Sequence, residues 1–172
     1  MIRFERWKLM STAIDLMGLA SSADAALEIL REHARAIAQA DGVTVVRRIG
    51  DEVAYVGEDA ISPLWTGQRF PIRQCISGLA MIERRPIFIP DIREDPRVPL
   101  NAYLSTFVAS MAMFPIGHGA PSAALGVYWA TAQSIDPDTL ALLDALTRSA
   151  NGSFERLAVA GEIAAGRQLR AG

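Results

Sequence analysis

Between Arg3 and Leu19 the apolar residues Trp7, Met10, Ile14 and Met17 step by three, four and three, with charged and polar residues between them. That period predicts a helix over residues 3–19, and its a/d spacing suits a seam between helices as well as packing on the domain's own body. Ser21-Ser22 break the pattern. A second stripe, Leu27, Leu30, Ala34 and Ile37, predicts a helix over 24–40 with Asp24 near its cap and Asp41-Gly42 at its end. The period then changes. "VTVVRRI" is β-branched and reads as a strand, Gly50-Asp51 as a turn, and "EVAYV" as the returning strand. Residues 58–71 carry Pro63, Gly67 and Pro71 and read as a loop, yet hold Trp65 and Phe70.

Ser77 fits the cap of a short helix over 78–85, and "PIFI" reads as a strand led by proline. "DIREDPRVP" is a loop, and residues 99–107 read as a short helix with Tyr103 and Phe107 one turn apart. "ASMAMFPI" and "SAALGVYWA" are apolar strands around the turn "GHGAPS", which contains His118. Asp136-Pro137 opens a last helix whose stripe is Leu140, Leu143, Leu146, Ala150, Phe154 and Leu157. Gly152, Gly161 and Gly166 weaken its later turns. The order predicts an α+β fold: an antiparallel sheet, terminal helices on one face, and a cover of loops and short helices over a pocket on the other.

With 172 residues and 51% apolar content the chain suits one folded domain. A net charge of -2 argues against a nucleic-acid binder, which needs a basic face. Cys75 is the single cysteine, so an internal disulfide and a multi-cysteine zinc site are excluded, and no metal site is expected. The N-terminal stretch is too charged for a signal peptide, and no apolar run reaches membrane-spanning length. The expectation is a cytoplasmic protein that engages neither membrane nor nucleic acid.

The segments "SGLAMIERRPIFIPDI", "FVASMAMFPI" and "ALGVYWA" stand in an order that resembles the GAF family of sensory domains. Gly78, Asp91, Pro115 and Gly126 occupy the places of that family's helix glycine, strand-end Asp, late-strand proline and strand glycine. "CISG" and "DPRVP" are similar to segments of GAF modules at the N-terminus of bacterial sensor histidine kinases. The resemblance spans residues 22–157. It implies a GAF-like α+β domain there; the a/d stripe of residues 7–17 with the apolar last helix adds the expectation of an N-terminal helix over 1–21 used in dimerisation and signalling, and residues 158–172 are expected to be the end of a C-terminal helix and tail. It also implies a sensor that binds a small molecule or reports a thiol state and relays it through its end helices, standalone or as the input module of a histidine kinase. A homodimer is expected. The cofactor stays open, because GAF domains bind cyclic nucleotides, bilins, haem, small metabolites or nothing known. An interaction scaffold with an empty pocket is the alternative, and a bilin photoreceptor a further one.

Cys75 poses the sharpest chemical question. "QRFPIRQC" is similar to a bilin-anchoring loop of some photoreceptors, but the stretch "VPLNAYLSTF" lacks the usual Cys-His pair, and neither His33 nor His118 stands where a pigment-contacting histidine belongs. GAF-fold methionine sulfoxide reductases use several cysteines, and one thiol has no resolving partner. No catalytic residue is therefore assigned. Arg73 and the start of the short helix favour a reactive thiolate, whereas the neighbours Ile76 and Leu79 favour a quiet thiol in a core or pocket wall. The predicted ligand-binding set is Trp65, Phe70, Cys75, Ile76, Leu79, Asp91, Tyr103 and Phe107. Trp129 and Arg93 are weaker candidates beside it.

Overall fold

The computed structural model describes residues 2–117 and 119–172, so His118 lies outside the described residues. Helices α1 (Arg3–Gly18) and α2 (Ala23–Ala38) precede a hairpin of β1 (Gly42–Ile49) and β2 (Glu52–Ala60). A short strand β3 (Arg69–Pro71), helix α3 (Ile76–Glu83) and strand β4 (Ile87–Ile89) follow. Strands β5 (Ser110–Ile116) and β6 (Ala123–Trp129) lead into α4 (Pro137–Ala171). The sheet has the order β3-β2-β1-β6-β5-β4, and its adjacent strands pair antiparallel. This is the α+β fold that the periodicity predicts.

Both faces of the sheet are covered, and strand alternation assigns each side chain to one of them. Leu125, Val127 and Trp129 of β6 join Val43 and Val45 of β1 in a core with α1, α2 and α4. Ala124 and Tyr128 join Val46, Val53 and Tyr55 in a second core under α3 and the cover loops. Trp129 therefore faces the helices, where its Nε1–H donates to the Gln39 carbonyl at 3.3 Å, and it takes no part in the pocket side.

Three expected elements differ. Residues 58–71 are not all loop: β2 runs to Ala60, and Arg69–Pro71 adds an edge strand to it. The expected helix over 99–107 is a single 3-10 turn, Leu100–Ala102, followed by turns. Pro99 opens that turn, and a run this short leaves the rest of the segment to be held by side chains. The cap of α3 is Cys75, not Ser77, because Ile76 already has helical geometry. At the other end of the chain the glycines of α4 do not stop it, and 35 residues form one helix about 52 Å long. Its buried positions end at Phe154, and from Val159 to Ala171, about three and a half turns, it projects beyond the domain body.

The terminal helices run side by side in the same direction. Arg3 pairs with Asp138 at 3.1 Å near one end, and Ser153 Oγ donates to the Met17 carbonyl at 2.7 Å near the other. Arg156 adds a bond to the Ala20 carbonyl at 2.8 Å. The face that α1 buries is Arg6, Met10, Ala13 and Met17, one residue round from the expected stripe at its start. The reason is polar. Arg6 is 7% exposed, and its Nε–H donates to the Ile37 carbonyl at the end of α2 at 2.8 Å. Its terminal nitrogen donates to Thr139 Oγ1 in the first turn of α4. Trp7 is thereby turned outward to 39% exposure beside Phe4.

Asp136 caps α4 by accepting from the Thr139 N–H at 3.0 Å. Burial raises the pKa of its carboxyl, but the bonds from Thr139 and the charge of Arg6 outweigh it and hold it below the usual carboxylate value. A carboxylate depressed in the folded state stabilises above its unfolded value of about 3.9, and that contribution is lost as pH falls through the folded value. Arg6→Ala is expected to lower the unfolding free energy by about 2 kcal/mol, because it removes two bonds from a buried charged donor. At this size that is a melting-temperature drop of roughly 4–8 °C, read by circular dichroism at pH 7. An unchanged melting temperature contradicts the role given to Arg6.

Candidate functional site

The cover face of the central strands is built from small side chains. Thr44 of β1 stands opposite Gly126 of β6, with Ala124 and Val46 beyond them. A methyl group on Gly126 would lie 2.2 Å from the Tyr128 hydroxyl and 2.6 Å from Thr44 Oγ1. The Tyr128 ring thus lies back along its own strand over the glycine, and its hydroxyl bonds Thr44 Oγ1 at 2.8 Å. The space above is filled by rings from strands and loops together: Tyr55 of β2, Phe70 of β3, and Trp65 and Tyr103 from the cover segments.

Trp65 is the central one. Its ring meets Tyr55, Tyr103 and Tyr128 edge to face, with centroids 5.5, 4.8 and 5.5 Å apart. Phe70 meets Tyr55 at 5.6 Å, also edge to face. The loop that carries Trp65 is held from below by Glu58, whose carboxylate accepts the N–H groups of Leu64, Trp65 and Thr66 at 3.0, 3.0 and 3.1 Å. Partial burial pushes the Glu58 pKa up, but these donors together outweigh it and leave it below the usual range. The Trp65 indole N–H then donates to the Ala102 carbonyl at 3.0 Å, which joins this loop to the 3-10 turn carrying Tyr103.

Two cavities result. The inner one, about 130 Å³, is walled by Tyr55, Trp65, Phe70, Cys75 and Tyr103, with Gln74, Pro99 and Ala102 at its mouth. The outer one, about 380 Å³, shares Tyr103 as a wall and is lined by Asp91, Arg93, Thr106 and Phe107 among others. Of the eight residues expected at the site, Trp65, Phe70, Cys75 and Tyr103 meet at the inner cavity, while Asp91, Tyr103 and Phe107 line the outer. Ile76 and Leu79 line neither: Ile76 is fully buried in the second core, and Leu79 packs against it. Asp91 uses Oδ1 to accept the Arg93 N–H at 2.9 Å, a local turn at the cavity edge.

Cys75 caps α3 from a buried position. Its Sγ accepts from Ser77 Oγ at 3.4 Å and lies 3.6 Å from the Pro71 carbonyl. Burial pushes the thiol pKa up, and the bonds from Ser77 and the Gly78 backbone only partly offset this. Ser77 in turn lies 3.3 Å from the Tyr55 hydroxyl. Burial also raises the hydroxyl pKa values of Tyr55, Tyr103 and Tyr128 well above the usual phenol value. The wall of the inner cavity is therefore electrically neutral at physiological pH. His33, by contrast, sits on α2 with Nδ1 bonded to the Ile29 carbonyl, across the sheet. Gly78 has no room for a side chain: a methyl group there would meet the Ile72 carbonyl oxygen at 1.7 Å.

Sequence reasoning missed Tyr55, Tyr128 and Glu58. The first two were legible in principle, since Tyr128 alternates with Ala124 and Gly126 and so must share their face. Glu58 carries no comparable signal, because an acidic residue before a loop is most often solvated. Among the described residues no group of three or more His, Cys, Asp or Glu side chains is placed to hold a metal ion.

No family model matches the sequence, and no curated protein matches it. Solved structures do match. The GAF domain of a phosphoenolpyruvate-protein phosphotransferase from Coxiella burnetii is 14% identical, covers 94% of this chain and 99% of that one, and superposes with a TM-score of 0.77. The free methionine-R-sulfoxide reductase of Neisseria meningitidis is 14% identical over 90% of this chain and 91% of its own, at 0.75. The chromophore-binding domain of a bacteriophytochrome from R. palustris is 15% identical over 91% and 62%, at 0.74. At such identities the agreement speaks to architecture alone, and it is an agreement over nearly the whole chain: this protein has the GAF-domain fold.

Proposed function

We propose that the chain is a sensory module that binds a small molecule beneath its cover and passes the change to its terminal helices. One observation carries this reading. The inner cavity takes two wall residues from the sheet, Tyr55 of β2 and Phe70 of the short edge strand β3, and its remaining lining comes from the cover of loops, turns and the start of α3. An occupant there contacts the part of the fold that can move, on the face opposite α1 and α4. It would bias the cover between two arrangements, with coupling on the order of 1–3 kcal/mol. Neighbours of the same fold include a methyl-accepting chemotaxis protein and a bacteriophytochrome, which supports a place in signalling.

On this reading residues 22–157 are the sensing domain, residues 1–21 a dimerising and signalling helix, and residues 158–172 the outgoing end of α4. The exposed Phe4 and Trp7 on α1, and Val159 and Ile163 on the projecting part of α4, supply apolar surface for a homodimer. A histidine kinase or another effector would receive the signal. The module would work in the cytoplasm, without nucleic acid. No helix among the described residues is long and apolar enough to cross a membrane. The reading is non-enzymatic: the hydrogen-bond partners of Cys75 are a hydroxyl and main-chain carbonyls, none of which is a base at neutral pH. The free methionine-R-sulfoxide reductase of the same fold makes that a point to test.

Native mass spectrometry of the gently purified full chain tests the main reading. The expected result is a dimer that retains a small mass, with Phe70→Ala losing the mass and Trp7→Glu losing the dimer. A monomer with no retained mass contradicts both parts, and visible absorbance would favour a pigment instead. The thiol is tested separately. Alkylation of Cys75 in the folded protein is expected to be slow at pH 7 and to accelerate only above the ordinary thiol value of about 8.5, because burial disfavours the thiolate. Fast labelling at pH 6–7 that a mild oxidant blocks would make Cys75 the sensing group.

A further inference from the structure

The inner cavity has a chemistry specific enough to name an occupant. None of its eight lining residues carries a charge. Glu58, the nearest structural carboxylate to the Trp65 loop, has its oxygens taken by three main-chain N–H groups. An anionic occupant would therefore meet no cation, and a cationic one no counter-charge. Volume narrows the choice further. The recess opens at Gln74, Pro99 and Ala102, and the part of an occupant that its walls enclose, about 130 Å³, is far smaller than a whole nucleotide or tetrapyrrole. That volume is close to the engineered apolar cavity of about 150 Å³ that holds one benzene. The walls are aromatic, and the rings already meet one another edge to face, the arrangement an added ring would extend.

One polar atom stands out. The Tyr103 hydroxyl is in a residue only 4% exposed. Among the described residues its one hydrogen bond is to the thioether sulfur of Met111, at 3.9 Å. A thioether is a weak acceptor, and nothing donates to the Tyr103 oxygen in return. Tyr55 and Tyr128, by contrast, each have a hydroxyl partner. A buried oxygen whose lone pairs lack a donor favours an occupant that brings one.

We propose that the inner cavity takes a neutral, single-ring aromatic molecule with one hydrogen-bond donor, a phenol in chemical class, whose hydroxyl donates to Tyr103. This rests on the reading of the cavity as the sensory site. The chain has three tryptophans, so its ¹⁵N spectrum shows three indole resonances, and Trp65→Phe assigns the one in the cavity wall. The full chain is titrated with phenol, toluene, benzoate and tetramethylammonium while that resonance is followed. Phenol and toluene are expected to shift it saturably, with phenol tighter by roughly five-fold, as one neutral hydrogen bond implies. Benzoate and tetramethylammonium are expected to leave it unmoved. Tyr103→Phe keeps the ring and removes the oxygen, so it is expected to bring phenol and toluene to equal affinity, with the Trp7 and Trp129 resonances reporting that it folds. Tighter binding of either charged probe overturns the ligand class and leaves the sensory reading standing. So does silence toward all four probes in a protein that still retains a small mass. Silence with no retained mass overturns both. A phenol preference that survives in Tyr103→Phe overturns the role of Tyr103.

Discussion

The pairing of Thr44 with Gly126 across β1 and β6 is the contact on which the cover side depends. It places the one residue without a side chain under the Tyr128 ring, and the one hydroxyl within 2.8 Å of that ring's oxygen. Because Tyr128 can lie flat along the sheet, Trp65 can sit on it, and Tyr55 and Tyr103 on Trp65. A register slip of one residue would turn Tyr128 toward the helices and Trp129 toward the cover. β6 is buried on both faces along its whole length and β1 from Gly42 to Val46, so neither face there is free to tolerate the exchange.

The two sides of the sheet are held by different physics. On the helical side, long regular elements satisfy their own backbone, and side chains fill the space: Leu27, Leu30, Leu142, Leu143 and Leu146 are at or near full burial. Long-range polar contacts there gather where helices end, and Arg6, Ser153 and Arg156 donate to the carbonyls of Ile37, Met17 and Ala20. On the cover side, irregular backbone is tied by single side chains. Glu58 gathers three N–H groups, the Trp65 indole bridges to Ala102, and Asp91 and Asp95 each close a local turn. A layer held by a few side-chain bonds opens more readily than one held by helices, and that is the layer around the cavities.

Much of this was legible in the sequence, for identifiable reasons. The stripe of α2, the strands β1, β5 and β6, and the Asp136-Pro137 start of α4 follow from period and capping chemistry. The glycine at 78 and the Asp at 91 carried the family resemblance, and the structure shows that at 78 only hydrogen fits. What did not follow were contacts between residues far apart in the chain. Arg6 is buried because a carbonyl on α2 and a hydroxyl on α4 await it, and no local pattern reveals that. The segment at 99–107 has helical spacing, yet tertiary contacts through Trp65 and Met111 hold it as turns. Ile76 and Leu79 share the apolar character of the wall residues, and only the direction of α3 turns them into the core instead.

The unequal stability of the two layers is the claim on which the sensory reading turns, and native-state hydrogen exchange measures it directly. The amides of α2, β1 and β6 are expected to exchange only through global unfolding. Those of Ile92, Ala102 and Tyr103, whose acceptors lie within the cover or at its edge, are expected to exchange at least about 100-fold faster through local opening. Exchange from the cover as slow as from β1 and β6 would show one rigid unit and contradict a cover that moves.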